Sequence, residues 1–578
     1  MIPTVREQPE QASPQVLTEE RLAPRLRTFF WGLAIVLGAL HVWAHRNDLN
    51  PDSVSYIEMA EGAVRSGWHA LINAYWSPLY PAFLSIGFRI LRASMYWEFT
   101  VVHLVNFAVY LADLLCFEFF LRELLVARGI EVASKDDLRP VPQKFFWTWG
   151  YLLFIWSNQF WLKPEYVNPY IIVAGLIYVA TALLLRIYSG RGDWLAFAGL
   201  GAALGVAYLA RTAIFPLSFL FFGCAFFLFG MKRRSYSLAV ARSALALAIF
   251  AMISAPLIVA ISKEKHRVTI GDSGKLAYAQ FVDGATFMTH WQGQPAGTGV
   301  PAHPTRKVSV NPPIYEFAQP ITGSYPPWHD PSYWYEGITT HFSLRGQLWV
   351  LFKSANMYFK LFSRSGALYV LFLALILLVR KMGKWEWGDR QFRLVWFPSL
   401  GALGMYTLVL VKQRYVSEFA LMLVFWILSS ARISMADEAG FKKRVIAATI
   451  LALALAMTWS SALNLRDIIR NRPYDQQVVA EGLRDMGISP GTQVASIGSG
   501  LEAYWAHLAE VRIIAEIPEH GTSFLAVDSV RRREVLNKFL ELRAKAVVTK
   551  NAAVAHSTEG WQQVGQTQYY VWRPAKLQ

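Results

Sequence analysis

Long apolar runs are the feature of this 578-residue chain that most limits how it can fold. A helix needs about 17–25 mostly apolar residues to cross the hydrocarbon core of a bilayer. The composition agrees, because 54% of the residues are hydrophobic and only 17% are charged. The sequence therefore predicts a polytopic α-helical membrane protein with about 11 transmembrane helices, at 29–46, 98–121, 145–162, 166–186, 194–210, 212–230, 239–261, 364–380, 394–411, 415–432 and 444–464.

The positions of the basic residues predict the orientation. With a cytoplasmic N-terminus, clusters such as Lys232-Arg233-Arg234 lie inside, and the short outer turns carry only Lys163, Arg211, Lys412 and Arg414. Cytoplasmic loops of membrane proteins are enriched in Lys and Arg, so membrane orientation accounts for most of the formal charge of +16. We therefore expect a multi-pass protein of the cell's inner (plasma) membrane in contact with membrane lipids, and no nucleic-acid partner.

This topology divides the chain into three parts. Residues 1–28 form a cytoplasmic N-terminal tail, and 29–464 form the transmembrane domain, with large outer loops at 47–97 and 262–345. Residues 465–578 lie outside with the C-terminus. Short β-branched runs alternate there with helical stretches, which predicts a small α/β domain with a parallel sheet, closed by an edge strand at 568–572.

The first outer loop begins with a polar stretch, Asn50 to Tyr56, that contains the carboxylate of Asp52. Pro51 starts a helix and places Asp52 near its positive end, so a helix cap is one interpretation and a catalytic acid is the other. Farther along the loop, Tyr75 and Trp76 precede a proline-rich turn. These aromatic rings suit stacking on a sugar, although an interfacial aromatic belt has the same composition.

Together these motifs resemble the GT-C superfamily of integral-membrane glycosyltransferases. The similarity rests on Asp52 four residues before Tyr56 and on the Tyr-Trp-Ser-Pro-Leu-Tyr-Pro turn at 75–81, and extends through 208–212 and 414–415. Bacterial protein-mannosyltransferases and lipid A aminoarabinose transferases are the most similar members. The resemblance implies transfer of a sugar from a polyprenyl-phosphate donor outside the membrane, with Asp52 as the catalytic base and Tyr56 beside it.

Two arginines in the outer turns have the chemistry to bind the leaving phosphate of such a reaction. Arg211 and Arg414 lie at the outer ends of predicted crossings, where a guanidinium can bind phosphate oxygens in bidentate fashion. The alternative is interfacial snorkelling, or an ion pair with Glu165 or Glu418.

Glu165 is a candidate acidic helper because many relatives carry a second acidic residue in this outer loop, often directly after a proline such as Pro164. Such a residue can orient the acceptor or help to bind metal. No cofactor is established, no metal ligands are assigned, and a divalent cation stays an open alternative. Cys116 and Cys224 lie inside apolar runs and predict neither a disulfide framework nor a metal site.

Three further patterns favour roles other than binding a metal ion or a nucleotide phosphate. His103, Asn106, Tyr110 and Asp113 lie on one helical face and predict a hydrogen-bonded stripe inside the bundle. His290, His303, His329 and Asp330 match no usual metal spacing, so an aromatic wall for the acceptor is favoured in that loop. Gly498-Ser499-Gly500 lacks the full phosphate-binding fingerprint and predicts a tight turn.

The sequence favours a glycosyltransferase but leaves other functions open. A transporter or flippase of lipid-linked saccharides is the main alternative, and a scaffold is another. Repeated halves with interrupted helices, which are common in transporters, are not evident. The acceptor is a lipid, a glycan or a protein, and its identity, like that of the sugar, is not encoded in a readable motif.

Overall fold

A computed structural model describes residues 14–92, 94–130, 138–285, 290, 299–329, 331–333, 336–434, 440–470 and 474–574. These residues are mostly helical. The helices before residue 471 are α1 (Pro14–Ala44), α2 (Pro51–Ser66), α3 (Leu79–Leu91), α4 (Glu98–Ile130), α5 (Gln143–Ser157), α6 (Tyr170–Arg186), α7 (Trp194–Ala210), α8 (Ile214–Arg233), α9 (Tyr236–Glu264), α10 (Ser273–Phe281), α11 (Pro326–His329), α12 (Leu344–Ser363), α13 (Gly366–Met382), α14 (Arg390–Thr407), α15 (Gln413–Ser430) and α16 (Phe441–Arg470).

Every apolar run predicted to cross the membrane coincides with a helix. Among the described residues, six helices are long and apolar enough to span a bilayer: α1 from Pro24 onward, α4, α6, α8, α9 and α16. A seventh span results if α12 and α13, which meet at an angle of 81°, are counted as one. The protein is therefore a multi-pass membrane protein. The number of 11 crossings stays a prediction, because α5, α7, α14 and α15 are shorter or more polar.

Close helix packing depends on small residues in the bundle. Gly201 of α7 lies directly against the backbone carbonyl of Ala246 in α9, where a Cβ atom would clash. Gly175 of α6 leaves room for the Asp113 side chain of α4 in the same way, since an added Cβ would lie 3.1 Å from its Oδ1. Small residues let membrane helices approach closely, and here they fix how α6 and α7 lie against their neighbours. Cys116 and Cys224 are both free.

The strands form two sheets. They are β1 (Leu138–Pro140), β2 (Arg306–Val310), β3 (Pro313–Glu316), β4 (Gly383–Trp385), β5 (Ala431–Ser434), β6 (Gln493–Ile497), β7 (Arg512–Ile517), β8 (Val547–Thr549), β9 (Trp561–Gln563) and β10 (Tyr570–Trp572). The small sheet has the order β1-β5-β4 and is antiparallel. The large sheet has the order β2-β3-β7-β6-β8-β10-β9.

The large sheet joins the second outer loop to the C-terminal segment. β6 pairs in parallel with β7 and β8, and β3 extends the sheet by pairing antiparallel with β7. Around this sheet lie α17 (Asp475–Asp485), α18 (Tyr504–Leu508), α19 (Thr522–Leu525), α20 (Ser529–Glu541) and α21 (Ala552–Ala555). The strand predicted at 568–572 is present as β10, but its prediction as an edge strand was wrong, because β9, whose short polar sequence gave no strand signal, covers its outer side.

Candidate active site

Asp52 lies in the first turn of α2, but the residue that caps this helix is Asn50. The Asn50 side chain accepts a hydrogen bond from the Ser53 amide, and the Ser53 hydroxyl accepts one from the Asn50 amide, each at 3.0 Å. This reciprocal capping satisfies the start of the helix without Asp52. The carboxylate of Asp52 is therefore available to a partner while still facing the positive end of the helix dipole.

That partner is Arg414, at the start of α15. Its Nη2 atom donates to Oδ2 of Asp52 at 3.2 Å, with 44% of the Asp52 side chain and 20% of the Arg414 side chain exposed. Nε of Arg414 is buried and has no hydrogen-bond partner among the described residues. The guanidinium thus keeps donor capacity after it has paired with Asp52.

Arg211 directly follows α7 and lies among tyrosine rings. Its guanidinium carbon is 4.9 Å from the ring centre of Tyr170, 5.0 Å from that of Tyr406 and 4.0 Å from that of Tyr415. Nη1 of Arg211 is buried without a hydrogen-bond partner in the described part of the chain. Cation–π contacts hold the charge in place but leave its N–H groups free to bind an anion.

Arg211 and Arg414 share their surroundings. Arg414 lies 5.5 Å from the Tyr170 ring centre and 5.7 Å from that of Tyr415, the same two rings that contact Arg211. Among the described residues, neither arginine makes an ion pair with Glu165 or Glu418, the alternative partners expected from the sequence. The structure thus brings Asp52 and both arginines together around a shared group of tyrosines.

The predicted aromatic residues stand beside this group. Tyr56 packs edge-on against Trp76 at 5.2 Å, and Tyr75 packs edge-on against Trp76 at 4.5 Å. The Asn73 side chain fixes the turn by accepting hydrogen bonds from the Tyr75 and Trp76 amides. Burial, and then the charge of Asp52, raise the pKa of Tyr56 well above its usual value, so its hydroxyl stays protonated.

Glu165 is held by different partners. Its Oε2 atom lies 2.6 Å from Nε2 of His41 and its Oε1 atom 3.1 Å from Nζ of Lys163. Burial acts to raise the pKa of Glu165. The contacts with His41 and Lys163 lower it by more, so the pKa is about 2. The carboxylate is thus ionised and held by the His41 imidazole and the Lys163 ammonium group, and its proposed role as an acidic helper stays a prediction.

A buried cluster that sequence reasoning missed connects α2, α4 and α18. Nε2 of His507 lies 2.7 Å from Glu98, and its Nδ1 lies 3.4 Å from Glu58. Burial lowers the pKa of His507, but Glu98 and Glu58 raise it well above its usual value. Burial raises the pKa of Glu58, but the hydrogen bond with His507 brings it below its usual value.

Donor atoms of Glu61, Glu98 and His507 lie within 4.8 Å of one another, a group that could hold a metal ion. It is the one such group among the described residues, and Glu165 is not part of it. The sequence carries no signal for it, because His507 is 409 residues from Glu98.

Asn106 and Tyr110 of the predicted stripe on α4 make the hydrogen bonds expected of a structural element, whereas both carboxylate oxygens of Asp113 are buried without a hydrogen-bond partner among the described residues. Asn106 accepts from the Tyr80 hydroxyl at 2.6 Å and donates to the Pro164 carbonyl at 3.0 Å. Tyr110 donates to the carbonyl of Ala34 at 3.1 Å. These bonds join α4 to α1, α3 and the turn before α6, so they position the elements that carry the site.

The histidines of the second outer loop do not converge. His290 bonds to Glu516 at 2.7 Å, and the His303 ring packs at 5.5 Å from that of Tyr333. His329 accepts from Asn73 only through its backbone carbonyl. Asp330, also predicted in this loop, lies outside the described residues.

The Gly498-Ser499-Gly500 turn binds a carboxylate of the protein. The amide of Gly500 donates to Oε2 of Glu516 at 2.8 Å, so a carboxylate already fills the position that a phosphate would need. The Tyr325 hydroxyl donates to Oε1 of the same glutamate at 2.8 Å. The turn therefore anchors the second outer loop to β7.

A cavity of about 1010 Å³ opens beside the site. It lies between the turn that follows α1, the turn that precedes α6, and the C-terminal segment. Its lining residues are His45, Asn47, Asp48, Leu49, Lys163, Glu165, Tyr166, Tyr474, Asp475, Gln476, Val478, Tyr504, Lys550, Gln566, Thr567 and Tyr569.

The fold is similar to that of solved structures of ArnT from Cupriavidus metallidurans. The structure of its apo state matches with a TM-score of 0.50 and 13% sequence identity, over 95% of this chain and 99% of ArnT. The structure bound to undecaprenyl phosphate matches with a TM-score of 0.54 and 13% identity, over 95% of this chain and 98% of ArnT. This chain therefore shares the fold of ArnT.

The likeness of fold to ArnT that the short motifs led us to expect is thus confirmed. An oligosaccharyltransferase from Archaeoglobus fulgidus matches over 91% of this chain and 70% of its own, at 14% identity, but its TM-score of 0.42 is too low to bear on the fold. No protein-family model and no curated protein sequence matches the chain. At 13% identity to ArnT the GT-C likeness concerns the fold, and the chemistry must be argued from the residues.

Proposed function

We propose that this protein is a membrane glycosyltransferase. It transfers a sugar from a polyprenyl-phosphate donor to an acceptor on the extracytoplasmic face of the inner membrane. The fold likeness to ArnT, which was solved with undecaprenyl phosphate bound, supports this donor class. The positive-inside distribution of Lys and Arg supports a cytoplasmic N-terminus and an extracytoplasmic C-terminus.

One observation carries the proposal: a carboxylate and two guanidinium groups meet at one end of the helices. Asp52 lies 3.2 Å from Arg414, and the rings of Tyr170 and Tyr415 are shared by Arg414 and Arg211. Buried guanidinium N–H groups without protein acceptors are costly unless an anion binds them. A polyprenyl phosphate at the membrane surface supplies that anion.

The chemistry follows from these positions. The Asp52 carboxylate removes the proton of the acceptor hydroxyl, whose oxygen attacks the anomeric carbon of the donor sugar. The bond from that carbon to the phosphate oxygen breaks, and polyprenyl phosphate leaves with the bonding electrons. Arg211 and Arg414 stabilise the negative charge that develops on the leaving phosphate. Tyr56, Tyr75 and Trp76 line the approach and contact the sugar.

The test uses the full-length protein in lipid nanodiscs. We expect undecaprenyl phosphate to bind, as measured by native mass spectrometry. We also expect the protein to cleave one member of a panel of undecaprenyl-phosphate hexoses and pentoses, with release of undecaprenyl phosphate, when an acceptor extract is added. A flippase would instead move a labelled lipid-linked sugar across liposomes without breaking its glycosidic bond. Movement without release would overturn the proposal.

A further inference from the structure

We propose that the 1010 Å³ cavity beside Asp52 binds an uncharged saccharide of the acceptor. Its wall contains four tyrosines: Tyr166, Tyr474, Tyr504 and Tyr569. This inference rests on the proposed function, because a saccharide there would be the acceptor only if Asp52 catalyses transfer. The volume is at the upper end of the roughly 300–1,000 Å³ that small-molecule sites usually span.

The chemistry of the wall favours sugar. Tyrosine combines an apolar ring face with a polar hydroxyl, which matches the alternating C–H and O–H surfaces of a sugar ring. The hydroxyls of Tyr166, Tyr474 and Tyr504 have no hydrogen-bond partner among the described residues, and all three residues line the cavity. Three phenolic groups therefore offer both donors and acceptors to a ligand.

The charges of the wall favour a neutral ligand over an anionic one. Lys163 is paired with Glu165 at 3.1 Å, and His45 with Asp48 at 2.7 Å. The remaining charged groups of the lining are one base and one acid, Lys550 and Asp475. Because acids and bases are equal in number, this wall lacks the excess of cations that a phosphate would need, in contrast to the Arg211 and Arg414 group.

The position of the cavity suits an acceptor. The Tyr166 ring in its wall lies 5.8 Å from the guanidinium of Arg414, which in turn bonds to Asp52 at 3.2 Å. On another side, the ring of Tyr504 stacks at 6.0 Å on that of Trp328, whose carbonyl accepts a hydrogen bond from Trp76. The wall is thus continuous with both the catalytic group and the predicted aromatic turn.

The C-terminal segment gains a specific role from this geometry. Tyr474, Tyr504 and Tyr569 all belong to it, whereas Asp52 and both arginines belong to the membrane part. The donor therefore binds to the helices, and the acceptor is selected between the helices and the C-terminal segment.

Saturation-transfer NMR on the full-length protein in nanodiscs tests the cavity. The probes are methyl glycosides of glucose, galactose and mannose, their disaccharides, and inorganic phosphate. The triple variant Tyr166→Phe, Tyr474→Phe, Tyr504→Phe removes the three hydroxyls and keeps the rings. The matched control is Tyr570→Phe in β10, outside the cavity.

At least one saccharide is expected to bind the wild type. The triple variant is expected to bind the same saccharide about tenfold more weakly, or weaker still, since three hydrogen bonds are lost. The Tyr570→Phe variant should bind as the wild type does. Absence of saccharide binding to the wild type, equal binding by the triple variant, or displacement of the saccharide by inorganic phosphate would each overturn the inference.

Failure of this inference can be separated from failure of the proposed function. Binding of undecaprenyl phosphate, followed by native mass spectrometry, depends on Arg211 and Arg414 and should be the same in the triple variant. Saccharide binding in a protein that binds no undecaprenyl phosphate would support the cavity and refute the transferase. Undecaprenyl phosphate binding and release without any saccharide in the cavity would support the transferase and refute the cavity.

Discussion

Arg414 donates a hydrogen bond of 3.2 Å to Asp52, although 362 residues separate the two in the sequence. The contact joins the start of α15 to the start of α2. It joins the carboxylate proposed as the catalytic base to one of the two guanidinium groups proposed to bind the donor phosphate. Several consequences can be measured.

Replacing Asp52 with Asn should reduce release of undecaprenyl phosphate from the sugar donor by at least about 100-fold, because a general base typically contributes 100-fold to 10,000-fold. Binding of undecaprenyl phosphate should be retained, since both arginines remain. The matched control is Asp467→Asn, which removes an exposed carboxylate at the end of α16. Full turnover by a well-folded Asp52→Asn protein would disprove the catalytic assignment.

Replacing Arg211 with Lys keeps the charge but loses the flat guanidinium that lies against three tyrosine rings. We expect binding of undecaprenyl phosphate to weaken about tenfold, and about 100-fold in Arg211→Ala, because bidentate contacts to phosphate are lost. Native mass spectrometry across a lipid titration measures this. Arg466→Lys, at an exposed ion pair, is the control and should change nothing. Equal affinity in all variants would contradict the phosphate role.

The His507 cluster predicts a pH dependence of stability. The folded pKa of His507 is raised above 6.5, so its stabilising effect is complete below that pH and is lost as the pH rises through the raised value. The folded pKa of Glu58 is lowered below 4.5, so its effect is present above that pH and is lost in acid. The cluster should therefore stabilise the fold most between about pH 4.5 and 6.5.

The variant His507→Gln measures this effect. Removing one member of a buried ion pair costs about 3–5 kcal/mol, so its unfolding temperature should be well below that of the wild type near pH 6. The difference should shrink as the pH rises from about 6.5 through the raised pKa of His507, because the wild-type cluster then loses its positive charge. Thermal unfolding in nanodiscs between pH 5 and 10 gives the curve, and a difference independent of pH would refute the assignment.

The cap of α2 predicts a positional effect on catalysis. Asn50→Ala removes the side chain that accepts from the Ser53 amide and should cost about 1 kcal/mol of stability. Asp52 lies in the same turn, so turnover should fall while undecaprenyl phosphate still binds. Asn50→Asp, which can still cap the helix, should restore turnover. If Asn50→Ala and Asn50→Asp reduced turnover equally, the cap would not be what positions Asp52.

Much of the architecture could be predicted from the sequence because its signals are local. Each apolar run lies in a helix, and the β-branched runs near 494, 512 and 547 lie in β6, β7 and β8. The same local signals located the last strand, β10, but did not show that it is an inner strand of the sheet. β9 is short and polar, so nothing in its own sequence showed that it covers β10.

The site was predicted in its parts but not in its contacts. Arg211 and Arg414 were candidates because charged groups at the ends of membrane helices are costly without a partner. Asp52 and Glu165 were candidates through the family resemblance, and the fold pairs Asp52 with Arg414 but Glu165 with His41 and Lys163. The His507 cluster had no local signal, because its members come from three distant segments and only burial makes their pairing necessary.

The sequence by itself determined that this chain is a membrane protein with chemistry-bearing residues at particular helix ends, since hydropathy and charge act over a few residues at a time. Only the tertiary structure decided which of those residues meet. Helix packing brought Arg414 to Asp52 and tyrosine rings around Arg211, and it placed the C-terminal segment over the cavity beside them. Contacts between residues hundreds of positions apart depend on the packing of the whole bundle, and no local pattern encodes them.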